Sequence, residues 1–265
     1  MEFRTVVTLQ KPEFRIEPLE QLLFVGSCFA DSIGRRFAEE RFPVIVNPDG
    51  VMYNPVSVLH TIQRCEASPR IVFLTLGTNH VYRLKETGEI VDNCQKRPQN
   101  LFQEEELSVE QCVDSLSQAV EVLRERRADV HVVLTVSPIR YAKYGFHGSQ
   151  LSKSVLLMAA DEVARKYASV FYFPAYEIVL DELRDYRFYQ PDMIHPSSQT
   201  VEYIWERLVE TCFSERAKLF LSEWKPIKEA LAHRPFHPES EAYQRFIQDV
   251  REREEKLLSI YYNKV

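Results

Sequence analysis

Short, uninterrupted apolar runs separated by helix-length segments constrain this chain more than any other feature. QLLFVG (21–26), VIV (44–46), IVFLTLG (71–77), HVVLTVS (131–137) and VFYF (170–173) are the runs. Each is too short for a core helix and too continuous for a strand with one wet face, so each reads as a strand covered on both sides. Strands joined through helices run parallel, with right-handed crossovers. The prediction is an α/β domain with a mostly parallel sheet of about five strands.

The intervening segments carry helix punctuation. Phe29 to Phe42 follows the first strand, and a helix starts at Pro55 with Asn54 as its cap. Ser108 and Gln111 form a capping box for a helix reaching about Arg127. Further helices are expected from about Gln150 to Tyr167 and from Pro196 onward, the latter with His195 at its cap. YRLKETGEIVD (82–92) reads as a hairpin turning at Gly88. The division expected is a domain over residues 1–215 and a C-terminal helical extension over 216–265, with Phe246, Val250 and Leu257 at helical spacing. Those helices are the surface on which an oligomer would form.

At 265 residues, 45% of them apolar and 27% charged, the chain can bury a large core, and wholesale disorder is excluded. A net charge of −6 without a basic stripe argues against a nucleic-acid partner. No run of about 18 apolar residues exists, which argues against a membrane span. The amino-terminal stretch has no secretory pattern, so a cytoplasmic protein is expected. Cys28, Cys65, Cys94, Cys112 and Cys212 are odd in number and scattered. Reduced thiols therefore fit better than a disulfide framework or a zinc site, and no metal or cofactor is expected.

Open parallel sheets bind ligands beyond the carboxyl ends of their strands. Gly26, Gly50 and Gly77, three of only seven glycines, fall there, each beside polar groups. Gly26 leads into Ser27 and Cys28, Gly50 precedes Asn54, and Gly77 leads into Thr78, Asn79 and His80. A hydroxyl or thiol between a strand and a helix faces free N–H groups that stabilise a thiolate or receive an oxyanion. The competing structural reading is a capping Ser27 and a packed Cys28. Late in the chain, Asp192 and His195 have the spacing that lets a carboxylate orient an imidazole. Lys96 and Arg97, beside Cys94, read as a solvated loop or a contact for an anionic substrate.

An early nucleophile with a late Asp-x-x-His is the chain order of SGNH (GDSL-type) esterases. More closely, the chain resembles the GSCFA domain family. The resemblance rests on Gly26-Ser27-Cys28-Phe29-Ala30, Asn47-Pro48 with Gly50, Tyr53-Asn54-Pro55, and Thr75-Leu76-Gly77-Thr78. It continues through Asn93-Cys94 with Lys96 and Pro98, Val136-Ser137-Pro138 and Gln150-Leu151-Ser152-Lys153. Tyr172-Phe173-Pro174, Tyr176-Glu177-Ile178, the run Asp181 to Tyr189 and Asp192-Met193-Ile194-His195-Pro196 complete it.

The resemblance implies an SGNH-hydrolase-like three-layer α/β/α fold. It also implies an acyl-ester hydrolase or acyltransferase, with an acylated carbohydrate or small molecule as substrate. Aligned with the esterase Gly-Asp-Ser, Cys28 takes the nucleophile position and Ser27 the one before it. His195 and Asp192 are then the base and its orienter. Gly50, Asn54, Gly77, Thr78, Asn79 and His80 line the oxyanion and substrate side, although Asn79 and His80 depart from the family's usual Ala-Trp. The alternatives are a ligand-binding module of the same fold without turnover, and a redox or metal site using Cys28, Cys94, His80 and His195.

Overall fold

A computed structural model describes residues 3–94 and 97–262. Five strands, β1 (Leu22–Gly26), β2 (Val44–Val46), β3 (Ile71–Leu76), β7 (His131–Val136) and β8 (Val170–Tyr172), form one parallel sheet. Its order is β2-β1-β3-β7-β8. The chain leaves β1 toward β2 on one side and returns through β3 on the other, so the sheet switches direction between β1 and β3. That crevice is where an open sheet takes a ligand.

Period-two alternation divides each strand between two cores. Leu22, Phe24, Ile71, Phe73 and Val133 face α1 (Cys28–Glu39) and α6 (Ser198–Cys212). Leu23, Val25, Val72, Leu74, Leu76, Val132, Leu134 and Val136 face α2 (Pro55–Arg64), α3 (Val109–Arg126) and α4 (Gly145–Lys166). The result is the expected three-layer α/β/α architecture. Phe37 of α1 anchors the first core, with ring centroids 5.2 Å from Phe24, 4.7 Å from Trp205 and 5.6 Å from Phe213.

The Ser108–Gln111 capping box and the Asn54 cap form as the sequence implies. Three features differ. A second, antiparallel sheet places β4 (His80–Leu84) between β5 (Ile90–Val91) and β6 (Phe102–Glu106). The FQEEE sequence of β6 offers no apolar alternation to detect. Helix α4 begins at Gly145, whose φ of +66° sets the chain into it, five residues before Gln150.

The third difference concerns α6, which is capped by Ser197 rather than by His195. Pro196 bridges antiparallel to Tyr189 instead of opening the helix. The Ser197 hydroxyl accepts from the Thr200 N–H, a cap that the prolyl ring cannot supply.

Between β8 and α6 lie a short helix, α5 (Ala175–Glu177), and a π-helical stretch, Ile178–Leu183. The chain ends in α7 (Glu215–Ala232) and α8 (Glu241–Tyr262). Trp224, Ile227, Val250, Leu257 and Tyr261 join the α1–α6 core, whereas Phe246 is exposed. Trp224 Nε1–H also donates to the Glu39 carbonyl at the end of α1 (3.2 Å). Among the described residues, no helix is long and apolar enough to cross a membrane.

Candidate active site

Gly26 ends β1 with φ +142°, and a Cβ there would collide with the Thr75 carbonyl on β3. Only glycine lets the two strands stay this close where the chain turns out of the sheet. Ser27 follows and is wholly buried. Its Oγ accepts from the Phe29 N–H (3.3 Å) and lies 3.1 Å from Thr75 Oγ1, while its N–H donates to the Thr75 carbonyl (3.0 Å). Ser27 is thus the cap of α1, sealed from solvent, and does not present a nucleophile.

Cys28 is half-buried at the first position of α1, where backbone N–H groups have no intrahelical partner. Its Sγ lies 3.8 Å from the hydroxyl of Tyr53. Burial, with Cys28 and Asp31 nearby, pushes the Tyr53 phenol up to about 12, so the hydroxyl stays protonated and can donate. Tyr141 stands edge-on to Tyr53, with ring centroids 6.2 Å apart. Its buried hydroxyl lacks a hydrogen-bond partner among the described residues, and burial pushes that phenol up as well.

The rim glycines do not serve as the sequence suggests. The Gly50 N–H donates to the Asn47 carbonyl (2.8 Å), and the N–H groups of Gly77 and Thr78 both donate to the Tyr53 carbonyl (2.8 Å each). These donors are committed to a turn at Gly50 and to the Tyr53 loop at Gly77 and Thr78, and are not free for an oxyanion. Gly77 is needed because a Cβ would collide with the Tyr141 hydroxyl. Asn79 is buried, with its Nδ2 donating to the Leu107 carbonyl (2.8 Å), so its amide ties β4 to the loop before α3. Thr78 Oγ1 is bound to Ser152 Oγ (3.0 Å). Asn54 Oδ1 caps α2 through the Ser57 N–H (2.9 Å), leaving the amide NH₂ as its uncommitted end.

His80 is buried and stacked on Tyr144 at 3.6 Å. Burial lowers its pKa against the pull of Glu106 and Glu104. Tyr53, Asn54, Thr78, His80, Tyr141 and Tyr144 line one cavity of about 370 Å³ beside the thiol's partner. A larger cleft, about 860 Å³, lies instead against Arg64 and Asp92, which pair with each other at 2.8 Å. Arg97 lines that cleft, and Lys96 falls outside the described residues.

Asp192 and His195 are joined as their spacing implies. Asp192 Oδ2 lies 2.7 Å from His195 Nδ1, and Oδ1 accepts from the N–H groups of Ile194 (2.9 Å) and His195 (3.0 Å). The imidazole bond and the two amide bonds hold the carboxyl down to about 2. An ionised carboxylate only accepts, so Nδ1 carries the proton and Nε2 is left as the basic nitrogen. The loop is exposed, and Met193 adopts a left-handed φ of +57° to make the turn. The Arg140 N–H donates to the Ile194 carbonyl (3.1 Å), tying this loop to the end of β7.

Lys153 is the residue whose importance sequence reasoning missed. Its ammonium is buried and donates to the carbonyls of Gly77 (2.6 Å) and Ser137 (2.7 Å), bridging the ends of β3 and β7. Burial without a carboxylate partner lowers its pKa to about 7. The available signal was its place on the apolar stripe of α4, at i and i+3 with Leu156 and in step with Ala160 and Val163. Among the described residues, Cys28, Cys94, His80 and His195 form no metal-binding group. All five cysteines are free thiols.

The GSCFA family model matches residues 21–70 and 66–208, and the model of the GSCFA domain protein C-terminal domain matches 224–264. No curated protein matches. Among solved structures, the chain is similar to TesA, with 18% identity, a TM-score of 0.47, and coverage of 72% of this chain and 97% of that one. It is also similar to a GDSL-like lipase from Bacteroides thetaiotaomicron, with 14% identity, a TM-score of 0.47, and coverage of 72% and 86%. A family two carbohydrate esterase from Clostridium thermocellum, in complex with cellohexaose, shows 13% identity, a TM-score of 0.46, and coverage of 78% and 66%.

Proposed function

The chain belongs to the GSCFA family, and from that premise we propose that it is an acyl-ester hydrolase or acyltransferase acting through Cys28. The observation that carries this reading is the Asp192–His195 pair, whose 2.7 Å bond leaves Nε2 basic. Cys28, at the head of α1 on the crevice side of the sheet, is the group for that base to serve. The burial and capping bonds of Ser27 support Cys28 over Ser27 in that role.

In the reaction, His195 Nε2 takes the thiol proton and Sγ attacks the acyl carbonyl carbon. The oxyanion is received by the N–H of Cys28, with the Tyr53 hydroxyl or the Asn54 amide as a side-chain donor. The carbon–oxygen bond breaks and the leaving alcohol takes the proton from His195. Water or an acceptor hydroxyl, deprotonated by His195, then cleaves the thioester and the thiol is restored. Four tyrosines, Tyr53, Tyr82, Tyr141 and Tyr144, line the cavity beside Cys28 with apolar ring faces, and the Asn54 and Asn93 amides and the Thr78 residue stand among them. That lining supports an acylated carbohydrate over a long acyl chain as the bound part.

Turnover of short acyl esters and acyl thioesters by Cys28→Ala, Ser27→Ala and His195→Ala tests the assignment. The first and third should lose at least roughly 10³-fold, while Ser27→Ala should keep its chemistry and lose stability. Wild-type turnover in Cys28→Ala would remove the acyl-enzyme.

A further inference from the structure

Next to the His195 loop, the fold builds a second cavity that the reaction above leaves unused. It measures about 290 Å³ and is lined by Arg140, Gln150, Arg184, Asp185, Tyr186 and Tyr189, among others. Two of these side chains are cationic, and among the described residues neither Arg140 nor Arg184 has a carboxylate partner. Elsewhere in the molecule Arg36, Arg64, Arg70 and Arg83 are all ion-paired. The cavity's one acid, Asp185, accepts from the Arg187 N–H (2.9 Å) and faces the Arg187 guanidinium at 3.7 Å.

Arg140 is held in place before any ligand arrives. Its Nη1 donates to the Met193 carbonyl (3.0 Å), and its guanidinium carbon lies 4.2 Å from the Phe146 ring centroid and 5.4 Å from that of Tyr189. A stacked guanidinium loses little freedom on binding and presents its remaining N–H groups in a fixed plane. Tyr189 lines the same cavity, and its hydroxyl is buried without a partner among the described residues. Gln150 gives its Oε1 to the Tyr176 hydroxyl, which leaves its NH₂ as a donor. Two cations without a carboxylate partner, an orphaned hydroxyl and an amide NH₂ make a donor-rich site whose one carboxylate, Asp185, faces Arg187.

We infer that this cavity binds a compact oxyanion, a carboxylate or phosphate group, between Arg140 and Arg184, with the Tyr189 hydroxyl donating to it. That the anion is an anchor of the substrate rests on the acyl-transfer reading; its binding does not. Because Arg140 also holds Met193 and Ile194, the bound anion braces the loop that carries Asp192 and His195.

Calorimetric titration of the full chain with inorganic phosphate and, separately, with acetate tests this, in wild type and in Cys28→Ala. Saturable one-to-one binding is expected in both, weakening as salt screens the arginines. Phosphate binding without acetate binding identifies a phosphoester anchor, and the reverse a carboxylate. Arg184→Gln should weaken binding roughly tenfold and Tyr189→Phe several-fold, as loss of a charge-assisted or a buried hydrogen bond requires. Arg140→Gln also frees the Met193 carbonyl, so Arg184→Gln and Tyr189→Phe are the deciding variants. Absence of binding by either anion, or unchanged affinity in both variants, would overturn the site. Anion binding retained in a wild-type chain with no Cys28-dependent turnover would sink the acyl-transfer reading and leave the site standing.

Discussion

The two halves of the candidate site are built in opposite ways. Around Cys28, the turns that flank α1 and β2 are bonded to neighbouring strands and loops. Gly26 N–H reaches Asn47 Oδ1 (2.8 Å), Asn47 Nδ2 reaches Asp31 (2.6 Å), and Met52 N–H reaches the Gly26 carbonyl (2.8 Å). Around His195, the loop is exposed, turns through a strained Met193, and depends on Arg140 from another part of the chain. A nucleophile gains from immobility beside a helix N-terminus, whereas a base must reach both nucleophile and leaving group. Burial sits with the former and exposure with the latter.

The sharpest test of this contrast is Gly26→Ala. A Cβ at φ +142° meets the Thr75 carbonyl, so strain and overpacking add, and a loss of roughly 3–5 kcal/mol in denaturant unfolding is expected. A loss under about 1 kcal/mol would show that the buried half can yield.

Lys153→Met probes the brace beneath that half and should cost about 1–3 kcal/mol by stripping the Gly77 and Ser137 carbonyls of their donor. The cost should depend on pH. Folded Lys153 has a pKa of about 7, below that of an unfolded lysine. Between these values the unfolded chain binds more protons, so the wild type gains stability as pH rises. Wild type should therefore draw further ahead of Lys153→Met from neutrality upward, by at most about 1.4 kcal/mol per pH unit. A gap independent of pH would mean that the ammonium is not desolvated.

The smallest effect belongs to the other half. Met193→Gly relieves a left-handed residue but frees the unfolded chain, so the two terms nearly cancel. Stability should move by less than about 1 kcal/mol. A loss matching that of Gly26→Ala would erase the distinction between the halves.

Local rules made the nucleophile half legible. A continuous apolar strand, a glycine and a capping serine announce a strand-to-helix turn in one short stretch, and Asp192 with His195 is likewise a three-residue relation. What escaped is of another kind. β6 is a strand only because β4 pairs with it, since its own polar sequence has no period. His195 lost its helix cap because Pro196 pairs with Tyr189 instead. Gly50 and Gly77 lie at the sheet edge that their sequence positions imply, yet their N–H groups are taken by the carbonyls of Asn47 and Tyr53.

The chain's own pattern thus determined the layers, the strand sequence and the edge at which chemistry gathers, because alternation and capping act between near neighbours. Only the tertiary structure decided which donors are spent, which are left over, and that a lysine without a carboxylate partner is buried between the ends of β3 and β7. Hydrogen-bond satisfaction is a property of the whole fold: each buried donor is matched to an acceptor that can be many residues away, and what remains unmatched is what a ligand can use.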